Sequence, residues 1–160
     1  KPFYPDIKER NIGSICDVGC GDGSFVNDMF SAGIKEVHGV DLVTVAMNLV
    51  KENKDIVYHN APATALPLGD KSIELLTAFD VLEHIHPSEV DNSLKEFSRV
   101  ATDYFMFSIS HRLSREEHGG ENLHLTVKPF SWWEEKISQY ASLEKAFKGP
   151  QGNTNCIWKL

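Results

Sequence analysis

A doubly wound α/β sheet, mostly parallel and closed by a C-terminal antiparallel hairpin, is the fold this sequence predicts. Three observations lead there. Short apolar runs alternate with helix-period segments five times, a glycine-rich turn follows the first run, and Gly149-Pro150 and Gly152-Asn153 separate two final strand-like stretches. After a proline-containing leader, Ile12 to Val18 reads as the first strand, running into Asp17-Val18-Gly19-Cys20-Gly21-Asp22-Gly23. Phe25, Met29 and Phe30 then recur at helical spacing, and Gly33 supplies a stop. Val37 to Val40 is a second strand closed by Asp41, and Thr44 to about Lys51 sets Val45, Leu49 and Val50 on one side of a helix.

Ile56-Val57-Tyr58 is the third strand, and Pro62, Pro67 and Gly69-Asp70 mark an irregular loop behind it. The nearly continuous apolar run Ile73 to Phe79 suits a strand covered on both faces. Pro87 marks a helix start, and Val90, Leu94, Phe97 and Val100 form its buried stripe. Tyr104 to Ile109 is the fifth strand. Residues 110–129, rich in His and Glu and containing Gly119-Gly120, read as a long substrate-facing loop. Ser131-Trp132-Trp133-Glu134 has the spacing of a capping box opening a helix to about Tyr140, with one tryptophan expected over the sheet edge because Ile137 follows Trp133 by a turn. Leu143–Phe147 and Asn155–Leu160 complete the hairpin.

Composition narrows the classes. At 160 residues, 41% hydrophobic and 24% charged, the chain fits one domain over residues 1–160 and is no disordered tract. A net charge of −7 argues against non-specific nucleic-acid binding. No apolar run approaches the ~20 residues of a membrane span, and the first residues lack a signal-peptide core, so a cytoplasmic protein is expected. Cys16, Cys20 and Cys156 form no CxxC pair and read as buried thiols.

In a doubly wound sheet the ligand lies at the carboxyl ends of the strands. Gly19–Gly23, Asp41, the loop after Tyr58, Phe79–His86 and Ser108–His124 all fall there. The glycine turn has three nucleotide-binding readings. A P-loop requires GK[ST], which Gly23-Ser24-Phe25 is not. A dinucleotide fingerprint requires GxGxxG, but Ser24 stands at the last glycine's place. The third is an acid two residues before GxGxG. In that form, Asp17-Val18-Gly19-Cys20-Gly21-Asp22-Gly23 resembles motif I of class I S-adenosylmethionine-dependent methyltransferases. An acidic loop suits a cationic sulfonium and ammonium better than a pyrophosphate.

The resemblance spans roughly residues 12–110 and implies a Rossmann-like methyltransferase fold. It further implies that Asp17, Gly19, Cys20, Gly21, Asp22, Asp41, Leu42, Asn60, Phe79 and Asp80 line S-adenosylmethionine, with Asp41 on the ribose hydroxyls. Pro62 occupies the place where many relatives carry an adenine-binding acid, and Asn60, Thr64 or backbone carbonyls are the substitutes. Phe79-Asp80-Val81-Leu82-Glu83-His84-Ile85-His86 is similar to the segment after strand four in ubiquinone-biosynthesis-like O-methyltransferases. With small-RNA 3′-end methyltransferases in view, the resemblance implies a divalent metal (Mg²⁺, Mn²⁺ or Zn²⁺) on Asp80, Glu83, His84 and His124.

Without metal, an imidazole serves as general base, with His84 preferred over His111 and His124. The expected activity is methyl transfer to an O or N nucleophile on a small polar molecule. A large acceptor would need the open face or a second subunit, so a homo-oligomer is one arrangement this allows. The rivals are an inactive S-adenosylmethionine-binding sensor or partner subunit, an aminopropyl transferase, and an NAD(P) oxidoreductase, the last disfavoured by Ser24.

Overall fold

The structure, a computed structural model, describes residues 2–43, 53–149 and 151–160. The first apolar run forms β1 (Ser14–Val18), buried at every position. It lies between β2 (Glu36–Asp41) and β4 (Ile73–Phe79), parallel to both. With β3 (Ile56–Asn60), β5 (Ala101–Ile109), β8 (Ser142–Lys148) and β9 (Thr154–Lys159), they build a seven-stranded sheet in the order β3-β2-β1-β4-β5-β9-β8. Only β9 runs against its neighbours, one place in from the edge, as the terminal hairpin predicts.

Side chains alternate across a strand, so one sheet feeds two cores. Cys16 and Val18, Leu76 and Ala78, Phe105 and Phe107, and Cys156 and Trp158 join one core. Ile15, Leu75, Met106 and Ile157 join the other. On the first face lie α3 (Val90–Val100) and α4 (Phe130–Ile137); on the second lie α1 (Tyr4–Glu9) and α2 (Ser24–Ser31). Val90, Leu94, Phe97 and Val100 are fully buried, as their spacing predicts, and so are Trp133 and Ile137. No helix among the described residues is long and apolar enough to cross a membrane.

Several boundaries depart from the sequence expectations. The leader, assigned no element from the sequence, is helical over Tyr4–Glu9, with Pro5 in the first turn, where a missing N–H costs nothing. Pro87 opens a turn, and the helix proper begins at Val90. Ser131 does not cap: Pro129 occupies the N-cap position and no side chain caps the helix. Residues 110–129 are not wholly loop, for Glu117–His118 and Glu121–Asn122 pair as β6 and β7 around Gly119-Gly120. Both of those glycines have positive φ. The helix expected over Thr44–Lys51 falls outside the described residues.

The loop between β3 and β4 is held from α3 by the side chains of Arg99 and Glu96. Arg99 donates to the carbonyls of Leu66 and Leu68 and pairs with Asp70 and Glu96. Glu96 in turn accepts the Leu66 N–H at 2.7 Å. A lysine lacks the planar fork that reaches these acceptors together. Arg99→Lys should therefore lower stability by about 1–2 kcal/mol, read as a lower urea midpoint at unchanged slope. An unshifted midpoint would show that this clamp is idle.

Candidate functional site

The chain leaves β1 through three left-handed glycines, with φ of 71°, 54° and 73° at Gly19, Gly21 and Gly23. Only glycine takes such values freely. The Gly19 and Cys20 N–H groups both donate to the Val40 carbonyl, at 2.7 and 3.1 Å, which draws the turn against the end of β2. Asp41 completes the tie: one carboxylate oxygen accepts the Gly21 N–H at 2.9 Å, the other the Val43 N–H at 2.8 Å. Asp22 accepts the Ser24 N–H at 3.0 Å just before α2, whose N-cap residue is Gly23.

Beside this turn lies a largely apolar groove of about 290 Å³. Gly19, Asp41 and Leu42, expected from the sequence, line it, together with Val18, Val40, Ala61, Pro62, Ala63, Thr64, Val81, His84 and Ile85. Pro62, where the resemblance led to the expectation of an acid, supplies a hydrophobic wall. The remaining expected residues do not line this groove, although Gly21 is tied to its rim through Asp41. Asp17 is buried and accepts from the Thr77 hydroxyl at 2.6 Å. The Cys20 thiol points inward: a Cβ at Gly39 would lie 2.9 Å from its sulfur. Burial, helped by Asp17 and Asp41, pushes that thiol up to about 12.

Asn60 donates to the Asp41 and Leu42 carbonyls at 3.1 and 2.8 Å, so its amide nitrogen braces the groove's rim. Phe79 and Asp80 border a different cavity, of about 250 Å³, with Phe3, Phe25 and Ser108. Sequence reasoning missed Val81 and Ile85 as groove residues, and Phe3 as a cavity wall. For Val81 the signal lay in Gly19: a Cβ there would strike the Val81 side chain.

A third cavity, polar and about 790 Å³, opens between the strand ends and the segment after β5. Asp80 sits at its rim with φ +55°, an uncommon conformation that Asp tolerates, and accepts from the Ser108 hydroxyl at 2.8 Å. Ser108 also accepts from the Asn153 amide. Leu82–His84 forms a single 3₁₀ turn that aims Glu83 inward. Glu83 is fully buried: one oxygen accepts the Ser110 N–H at 3.0 Å, and Oε2 has no partner. Burial pushes its carboxyl up to about 7, against the pull of its two backbone hydrogen bonds.

Thr126 locks the overlying segment to this turn, donating its N–H to the Glu83 carbonyl and its hydroxyl to that of Ile85. The lock brings His124 edge-on to His84, ring centroids 4.8 Å apart. His84 lines the apolar groove and His124 the polar cavity, so the pair stands between them. His124 Nδ1 donates to the Arg112 carbonyl at 2.6 Å, which leaves Nε2 of the neutral ring as an acceptor. Burial first, then the neighbouring His124, lowers the pKa of His84 and keeps it a neutral base.

Two expected roles change. His111 is no candidate base: Nδ1 donates to the Lys128 carbonyl and Nε2 faces the Thr154 hydroxyl at 2.8 Å, so both nitrogens anchor the loop. Asp80 is absent from the cluster of metal-capable groups. That cluster contains Glu83, His84 and His124, with donor atoms all within 4.8 Å of one another. Asp80 bonds Ser108 instead.

Residues 16–103 match the family described as Methyltransferase domain. Among curated proteins, the tRNA U34 carboxymethyltransferase of Shewanella oneidensis is 33% identical over 82 residues, 51% of this chain and 24% of its own length. The chain thus spans about a quarter of the length of the curated relatives it matches. Among solved structures, the PH0226 protein of Pyrococcus horikoshii superposes with a TM-score of 0.83 at 17% identity, covering 98% of this chain and 87% of that one. An S-adenosylmethionine-dependent methyltransferase from Mesorhizobium loti gives 0.78 at 15% identity, covering 100% and 98%. At those identities the likeness is one of fold.

Glu83 carries a pH signature. Its folded pKa lies above the unfolded value near 4.5, so its contribution is fully present below pH 4.5 and is lost as pH rises toward 7. Glu83→Gln keeps an acceptor for Ser110 and removes the titration. Measured by urea denaturation in EDTA, its stability relative to the native chain should improve by about 1–3 kcal/mol between pH 4.5 and 8. An equal difference at both pH values would contradict a buried, raised carboxyl.

Proposed function

The chain belongs to the methyltransferase-domain family, and on that premise we propose that it transfers a methyl group from S-adenosylmethionine to an oxygen or nitrogen of a small polar acceptor. One observation carries this reading. An apolar groove edged by an acid at the end of β2 meets a polar cavity across a pair of histidines.

The groove's chemistry fits the cofactor. Leu42, Ala61, Pro62, Ala63, Val81 and Ile85 offer apolar contact to an adenine ring. Asp41 retains lone pairs for ribose hydroxyls, since each of its oxygens accepts one backbone N–H. Gly19 and Gly21 let main chain approach without a side chain. When bound, S-adenosylmethionine supplies an electrophilic methyl on a positively charged sulfur. The protein's part is then alignment plus removal of one proton. His124, facing the polar cavity with Nε2 free to accept, takes the acceptor's proton. His84 packs against it and stays neutral.

A divalent ion is a second reading, favoured by the convergence of Glu83, His84 and His124. One carboxylate with two imidazoles suits Zn²⁺ or Mn²⁺ better than Mg²⁺, and such an ion would hold and acidify the acceptor hydroxyl. The acceptor has a second reading too. The curated relatives are named for tRNA, whereas the chain's net charge of −7 favours a small molecule.

Calorimetric titration with S-adenosylmethionine tests the premise directly. Asp41→Ala should weaken binding by about 1–3 kcal/mol, and an unchanged dissociation constant would remove the ribose role. In an acceptor screen following S-adenosylhomocysteine release, with tRNA among the candidates, His124→Ala should lower kcat by about 10²–10⁴-fold while cofactor affinity holds. Full activity after EDTA treatment, with no stoichiometric Zn²⁺ or Mn²⁺ binding by titration, would leave the imidazole base and dismiss the ion. Cofactor binding with no turnover on any acceptor would point to a sensor or partner subunit.

A further inference from the structure

The chain has four arginines, and the structure treats them as two pairs. Arg10 bridges Asp6 and Glu144, and Arg99 bridges Glu96 and Asp70. Arg112 and Arg115 have no carboxylate within 4.0 Å among the described residues, although acids outnumber bases 23 to 16 along the chain. Both line the 790 Å³ cavity, which Glu83 and His124 line as well.

The cavity is therefore bipolar. Its floor, at the strand ends, carries acceptors: the unpartnered and fully buried Oε2 of Glu83, and the open Nε2 of His124. Its other wall, on the segment after β5, carries two guanidinium groups with donors to spare and the Glu116 carboxylate beside them, with no ion pair between Glu116 and either arginine among the described residues. That wall is also built. Asn122 holds it in three places, accepting the N–H groups of Ser114 and His124 at 2.9 and 3.0 Å and donating to the Ser114 carbonyl at 3.0 Å. Two guanidiniums at one cavity match an oxyanion, because their planar donor sets pair with carboxylate or phosphate oxygens two at a time.

Taking this cavity as the acceptor site, as the reading above does, we propose that the acceptor carries an oxyanion, phosphate or carboxylate, which Arg112 and Arg115 bind, so that its hydroxyl or amine faces Glu83 and His124. The anion sets the acceptor's orientation, and the buried acceptors select a nucleophile that bears a proton. Neutral alcohols and amines of the same shape lose the first contact and are discriminated against.

Inorganic phosphate and acetate are the probes, titrated separately into the native chain with and without S-adenosylhomocysteine and followed by amide chemical shifts. Saturable binding is expected, with shifts concentrated on residues 110–124, and the tighter probe identifies the preferred oxyanion. Arg112→Gln/Arg115→Gln should weaken it at least tenfold while S-adenosylhomocysteine affinity stays within twofold. Lys35→Gln/Lys54→Gln removes the same charge from exposed positions elsewhere and should leave phosphate binding within twofold. Absence of saturation with both probes, or equal weakening by the two double variants, overturns the proposal. Failure of the native chain to bind S-adenosylhomocysteine sinks the methyl-transfer reading instead, and the probe titrations without it still decide the oxyanion site.

Discussion

The turn leaving β1 passes so close to Val81 at Gly19 that no side chain fits at that position. Val40 offers one carbonyl to two successive N–H groups, those of Gly19 and Cys20, and Val81 fills the space a Cβ at Gly19 would need. Because the turn is pinned there, Asp41 reaches the Gly21 N–H and the end of β2 becomes the rim of the groove. Gly39 shows the same pressure from below: a Cβ on it would sit 2.8 Å from the Tyr58 ring and 2.9 Å from the Cys20 sulfur. Close backbone approach at one corner of the sheet thus determines the floor, the rim and one wall of the proposed cofactor site.

A second constraint operates on the other side of β4. The 3₁₀ turn at Leu82–His84 puts a carboxyl where water does not reach, and Thr126 fastens the segment after β5 over it. Desolvation disfavours the charged carboxylate, which is why Glu83 titrates near neutrality, not at its ordinary value. The same fastening brings His124 against His84, forty residues apart in sequence and 4.8 Å apart between ring centroids. Neither histidine sits in the hydrogen-bond network that consumes both nitrogens of His111. What separates an anchoring imidazole from a reactive one here is only the number of partners it has found.

Much of this architecture is legible in the residues. Ile73–Phe79 reads as a strand covered on both faces and is one, and the stripe of Val90, Leu94, Phe97 and Val100 is buried as spaced. Period-two and period-3.6 patterns survive folding because burial itself enforces them. The errors fall where a local signal is missing or has two meanings. The proline-containing leader is assigned no element from the sequence, and Phe3 and Ile7 of its helical segment pack into the second core. Ser131 and Glu134 had capping spacing, but Pro129 starts the helix sooner.

For the site, sequence by itself indicated which strand ends border the cavities, because glycines, Asp41 and the Glu83-His84 pair follow apolar runs. It could not say which of those side chains share a cavity. Asn60 turns to brace β2, Asp80 turns to Ser108, and His111 is used up on the loop, whereas Val81 and Pro62 become walls. Those outcomes depend on contacts between residues far apart along the chain. A side chain's role is settled by which partners reach its polar atoms first, and only the tertiary arrangement supplies those partners.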